Sequence, residues 1–194
     1  KCGALWRAAF FVWYALEEMS PRVIFYIGNF FFSLFVALIT FVQLSYLSSF
    51  MPVAYTGLVI AGGALIAVFV FPSMPRLTAH YGAQRLSLVF AILEMVALVI
   101  IAMSPGPLVA VFLIAVTIAL QPLIAYELDL LLEMTTAEEE TTGRVRALFL
   151  TAWNLAALVA VLLIGVLLAL RDAYNHVFLA AAAALVPFIV LFAV

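Results

Sequence analysis

The residues able to do chemistry in this chain are few, and most of them interrupt long apolar runs. Between residues 23 and 47, Asn29, Ser33, Thr40 and Gln43 stand among Phe, Leu, Ile and Val. At about 100° per residue these four, with Leu47, fall within an arc of roughly 80°. Amides and hydroxyls gathered on one face of an apolar helix can bond to neighbouring helices as packing contacts, or line a path for polar solutes. A second row steps by four residues through Thr117, Gln121, Ala125, Asp129 and Glu133. Pro122 removes a backbone donor beside Gln121 and predicts a kink there. Thr151 and Asn154 stand about one turn apart in a third run. The candidates for a substrate path are therefore Asn29, Ser33, Thr40, Gln43, Thr117, Gln121 and Asn154.

Glu94 is the carboxylate nearest the middle of any apolar run. An ionised group at the centre of a bilayer costs roughly 2.5–3.5 kcal/mol on insertion scales. Two readings stay open: a proton-coupling carboxylate, or a neutral, hydrogen-bonded structural glutamate, the second being the one expected here. The remaining charges gather in two connections. Arg76 and Arg85 flank one, and Asp129, Glu133, Arg144 and Arg146 flank the other. Acids at a helix C-terminus and arginines at the next N-terminus each oppose the helix dipole. Their pairing across the connection predicts a charged latch.

These groups need elements to hold them, and composition names the elements. Of 194 residues, 69% are hydrophobic and 9% are charged, against about 45–50% and roughly 25% in soluble domains. Too little charge exists to coat a water-facing surface, so the chain is read as an integral membrane protein. Six runs reach the roughly 20 residues that a bilayer requires: 23–47, 53–74, 83–103, 107–126, 147–170 and 174–194. The two long connections are 75–82 and 127–146. Lys1, Arg7, Arg22, Arg76, Arg85, Arg144 and Arg146 share one side and only Arg171 falls on the other. The positive-inside rule then puts both termini and both long connections in the cytoplasm, in a bacterial inner or a plasma membrane. Residues 1–21, with Trp6, Phe10 and Trp13, read as an interfacial anchor helix or the remnant of an upstream segment, and 22–194 as the six-helix bundle. The last run stops without the basic residues that usually close a cytoplasmic helix end, which reads as part of a longer chain.

Several classes are excluded by the same inventory. A net charge of −2 without a basic stripe argues against nucleic acid as a partner. One cysteine and two distant histidines offer no metal site, and no cofactor is expected. No serine stands in a Gly-x-Ser-x-Gly setting, and His80 and His176 lie at the ends of runs, so an intramembrane enzyme is not expected.

The connection Pro75-Arg76-Leu77-Thr78-Ala79-His80-Tyr81-Gly82-Ala83-Gln84-Arg85 resembles the signature between helices two and three of the major facilitator superfamily of transporters. Leu77, His80, Tyr81, Gly82 and Arg85 stand at matching places; Pro75, Ala79, Ala83 and Gln84 depart from it, Ala79 where the family has an acid. The stretch from Leu128 through Glu133, Glu138-Glu139-Glu140 and Gly143-Arg144-Val145-Arg146 to Asn154 is similar to the helix 4–5 region of such transporters. The resemblance covers about residues 22–194. It implies one half, the N-terminal one, of a twelve-helix fold, with a small solute moved by alternating access. The implied partners are the lipid bilayer, a second six-helix half (same polypeptide, second chain or homodimer) and a small-molecule substrate whose identity the sequence does not carry. The alternatives are a six-helix substrate-capture subunit of an energy-coupling-factor importer, and a membrane scaffold whose polar faces serve packing alone.

Overall fold

Backbone amides in an apolar medium must find partners within their own segment, so apolar runs of this length fold as helices. The computed structural model describes residues 21–135, 139–170 and 173–193, and these contain helices but no strand. In chain order they are α1 (Pro21–Ser48), α2 (Val53–Val70), α3 (Met74–Tyr81), α4 (Ala83–Ala102), α5 (Pro107–Thr135), α6 (Glu139–Leu167) and α7 (Ala173–Ala193). A 3-10 turn, Phe71–Ser73, joins α2 to α3. Among the described residues, six segments are long and apolar enough to cross a bilayer: Val23–Ser48, Val53–Tyr81, Ala83–Ala102, Pro107–Met134, Arg146–Leu167 and Tyr174–Ala193. The all-helical architecture is thus compatible with a multi-pass integral membrane protein. The anchor helix expected over 1–21 lies, apart from Pro21, outside the described residues.

Two connections expected as loops are largely helical. Residues 74–81 form α3, and α5 continues to Thr135 before α6 opens at Glu139. Leu, Glu and Met dominate 127–135, and their helix propensity carries α5 past the apolar boundary. Helix α5 runs unbroken through Pro122. The turn from α3 to α4 rests on Gly82, whose φ of 85° and ψ of 143° suit a residue without Cβ.

Helix α1 packs extensively on α6 and α7, α4 on α5 and α7, and α2 on α5, while α1 and α5 touch over a shorter length. Four helices (α1, α4, α5, α7) therefore form the body, and α2 and α6 flank it. The core is aromatic where α1 meets α7: Phe32, Phe35, Phe178 and Phe188 are fully buried, and the Phe188 and Phe192 rings stack at 4.5 Å. The flanking helices bury only small side chains among those described: Thr56, Gly63 and Ala67 on α2, Ala156 and Ala160 on α6. Small residues let helix backbones approach closely where lipid supplies no hydrophobic drive. At Gly63 the approach is extreme, since a Cβ there would lie 2.7 Å from the Ala115 carbonyl oxygen and 2.8 Å from Ile118 Cβ.

The packing also repeats. Number the six membrane-length segments in chain order, and exchange one, two and three with four, five and six. The one–six pairing becomes four–three, one–five becomes four–two, and three–six and one–four map onto themselves. Every extensive pairing has its counterpart.

Candidate functional site

At the end of the bundle where α1 begins, four helices are tied in two pairs by polar side chains. Thr78 on α3 donates its hydroxyl to Glu127 Oε1 on α5 at 2.5 Å. Glu127 is fully buried, and its Oε2 has no hydrogen-bond partner. Gln84, in the first turn of α4, donates to the Phe192 carbonyl in the last turn of α7 at 2.8 Å. Sequence reasoning missed Glu127, because the apolar run was closed one residue before it. The available signal was its place two residues before Asp129 on a continuous helical pattern, which turns it from the exposed row toward α3.

The charged latch is represented by one ion pair. Arg146 Nη2 lies 3.6 Å from Glu133 Oε1, with side chains 59% and 62% exposed. The side chain of Arg144 lies outside the described residues. Asp129, Arg76 and Arg85 are exposed, and no ion pair joins them to a described residue. An exposed pair of this kind contributes about 0–1 kcal/mol.

The polar arc of α1 divides in two. Asn29 and Ser33 are buried: Asn29 Nδ2 donates to the Phe149 carbonyl on α6 at 2.9 Å, and Ser33 Oγ donates to Asn29 Oδ1 at 3.4 Å. Further along, Thr40 is exposed and Gln43 half-buried, with its Oε1 buried and unpartnered. One face thus meets two environments, because α6 covers it at Asn29 and leaves it open at Thr40.

The α5 row grades from closed to open. Thr117 is buried and donates to its own helix at the Ile114 carbonyl, 2.9 Å away. Gln121 and Ala125 are half-buried, and Asp129 and Glu133 are exposed. On α6, Thr151 and Asn154 are exposed and bond their own backbone at Ala147 and Leu150, each at 2.8 Å. Of the path candidates, only Asn29 and Ser33 are joined by a direct hydrogen bond.

Glu94 on α4 is fully buried, and neither carboxyl oxygen has a hydrogen-bond partner. The side chain facing it is Gln121 on α5, whose Nε2 is likewise buried without a partner. The two lie side by side without a closed bond. Among the described residues, no three His, Cys, Asp or Glu side chains gather closely enough to hold a metal ion.

Compared with known proteins, the chain matches no family model, no curated protein and no solved structure.

Proposed function

We propose that this chain is a six-helix unit of a solute transporter of the alternating-access type, akin to one half of a major facilitator. The observation that carries this reading is the repeat in the packing. Two triplets of membrane segments make equivalent contacts, and a triplet of odd number reverses direction in the membrane. Inverted repeats of this kind underlie many secondary transporters, where rocking of one unit against another exposes a midplane site alternately. In this reading the α1 end, which carries most of the basic residues, faces the cytoplasm. The path runs along the open parts of the polar rows, past Thr40 and Gln43 on α1, Gln121 on α5 and Asn154 on α6. A second six-helix unit completes it.

A scaffold reading is favoured by the polar residues whose bonds close within the chain, Asn154 of the path among them. Asn29, Ser33, Thr117, Thr151 and Asn154 all donate to acceptors within the chain, as packing contacts do. Single cysteines at Thr40, Gln121 and Asn154, in a background lacking Cys2, separate the two. Each is labelled with a membrane-impermeant thiol reagent in right-side-out and in inverted vesicles of the full-length protein. A transporter gives positions that react from both sides. Positions that react from one side alone, or from neither, leave the scaffold.

A further inference from the structure

Glu94 is fully buried, and neither of its carboxyl oxygens has a hydrogen-bond partner. It lies in the middle of α4, about 9 residues from Arg85 and, by helical rise, roughly 13 Å from it along the axis. The helices packed against α4 bring no cation to it. On α5 the nearest titratable groups are Tyr126 and Glu127, five and six residues beyond Gln121 toward the α1 end, and Glu127 is engaged with Thr78. On α7 they are Tyr174 and His176, in its first turn at the opposite end of the bundle. On α3 they are Arg76, His80 and Tyr81, all exposed at the α1 end.

A carboxylate in this position has to be neutralised or solvated, because burying an isolated charge is prohibitive. A small metal cation is a poor candidate. It wants about six oxygens, and no group of three His, Cys, Asp or Glu side chains gathers closely enough to hold one among the described residues. The proton needs no such cage.

We infer that Glu94 and Gln121 form a proton-binding site between α4 and α5, read out through the orientation of the Gln121 amide. With Glu94 ionised, Gln121 Nε2 turns in and donates to the carboxylate, giving a partner to Nε2 and to one of the two unpaired oxygens. With Glu94 protonated, that acceptor is weakened and the carboxyl carries a donor of its own, so the amide swings to the half-open row through Ala125 and Asp129. One proton binds one carboxylate oxygen, and no other bond is made or broken. Proton uptake thereby changes the lining of the α5 row, which is where a solute would pass. The site does not depend on the transporter reading, since a scaffold could bind the same proton.

The test is infrared difference spectroscopy of the full-length protein in liposomes, stepped from mildly acid to mildly alkaline pH. The expected result is a protonated-carboxyl band that is lost on raising the pH, absent in Glu94→Gln and retained in Glu127→Gln. Gln121→Leu, which removes the donor to the ionised form, shifts the loss of that band to higher pH. A carboxyl band that persists in Glu94→Gln, or one that is constant across the range, overturns the proposal. Gln121→Leu also covers the case in which Glu94→Gln does not fold: with that variant alone, an unmoved titration refutes the pairing. As a second readout, labelling of Ala125→Cys, taken at each pH relative to the same cysteine in Glu94→Gln so that the thiol's own ionisation cancels, changes with pH; a constant ratio counts against the amide swing.

Discussion

Asn29 decides whether the first polar row is a packing contact or a path, and substitution there separates the two by size. Its Nδ2 bonds the Phe149 carbonyl at 2.9 Å, and its Oδ1 is the acceptor for Ser33. Asn29→Leu keeps most of the volume and removes the bond. The Phe149 oxygen retains its second lone pair for its own helix, so no orphan acceptor is created. The loss is then the interhelical bond, about 0.6–1.7 kcal/mol in a membrane, together with the long 3.4 Å bond from Ser33, whose hydroxyl can turn to a carbonyl of its own helix instead. Asn29→Ala removes three further heavy atoms from a site 1% exposed and adds a packing term, for a total of about 1–2.5 kcal/mol. Asn29→Asp sets an anionic oxygen against the carbonyl and is the worst of the three, by several kcal/mol unless it protonates. The order Leu, Ala, Asp is the signature of a buried bond between α1 and α6. Unfolding by denaturing detergent in mixed micelles measures it. Labelling supplies an independent check, with Asn29→Cys protected while Thr40→Cys reacts. If Ala and Asp both fall within about 0.5 kcal/mol of wild type and Asn29→Cys labels as fast as Thr40→Cys, Asn29 does not bond α6 in the bundle.

Four further outcomes are expected. Gly82→Ala meets no atom within 4 Å, so its cost is that of the backbone at φ 85°, about 1–3 kcal/mol in thermal denaturation. Gly63→Val forces α2 off α5 and lowers the melting temperature, whereas Gly57→Ala, with open space around its Cβ, is neutral or stabilising by virtue of helix propensity. Thr78→Val leaves both Glu127 oxygens without a donor and costs about 1–3 kcal/mol; Glu127→Gln in the same background recovers part of it, by a double-mutant cycle. Glu133→Arg or Arg146→Glu alone changes stability by less than about 1 kcal/mol, and the double swap restores the pair; a swap no better than either single change would leave the charges as a solvated rim.

Much of the fold was legible because lipid leaves the backbone few choices. Six apolar runs had to be six helices, and Gly82 after Tyr81 had to turn. What the sequence pattern could not carry was the covering of one helix by another. The α1 arc from Asn29 to Leu47 is a single face by periodicity, yet Asn29 and Leu47 are buried while Thr40 is exposed. Helices that cross at an angle cover a face over part of its length, and periodicity holds no crossing angle. Glu127 was lost for a related reason. Its charge ended the apolar count, although the helix ran on for two more turns and carried it beneath α3.

The polar residues of the bundle then sort by how their hydrogen bonds close. A Thr or Asn that bonds its own turn, as Thr117, Thr151 and Asn154 do, is satisfied in any surroundings and carries little information about function. Gln43, Gln121 and Glu94 are different, because each keeps a buried atom unpaired. An orphan in an apolar interior costs on the order of 1–3 kcal/mol, and a leucine would avoid it. Their retention makes sense if the missing partner arrives in another state: a proton on Glu94, a turned amide at Gln121, a solute or a second unit at Gln43. A rigid scaffold that binds nothing gains no stability from such atoms. A protein that passes between conformations has a use for them, since a bond that is open in one state and closed in the other is what gives a ligand its leverage over the equilibrium.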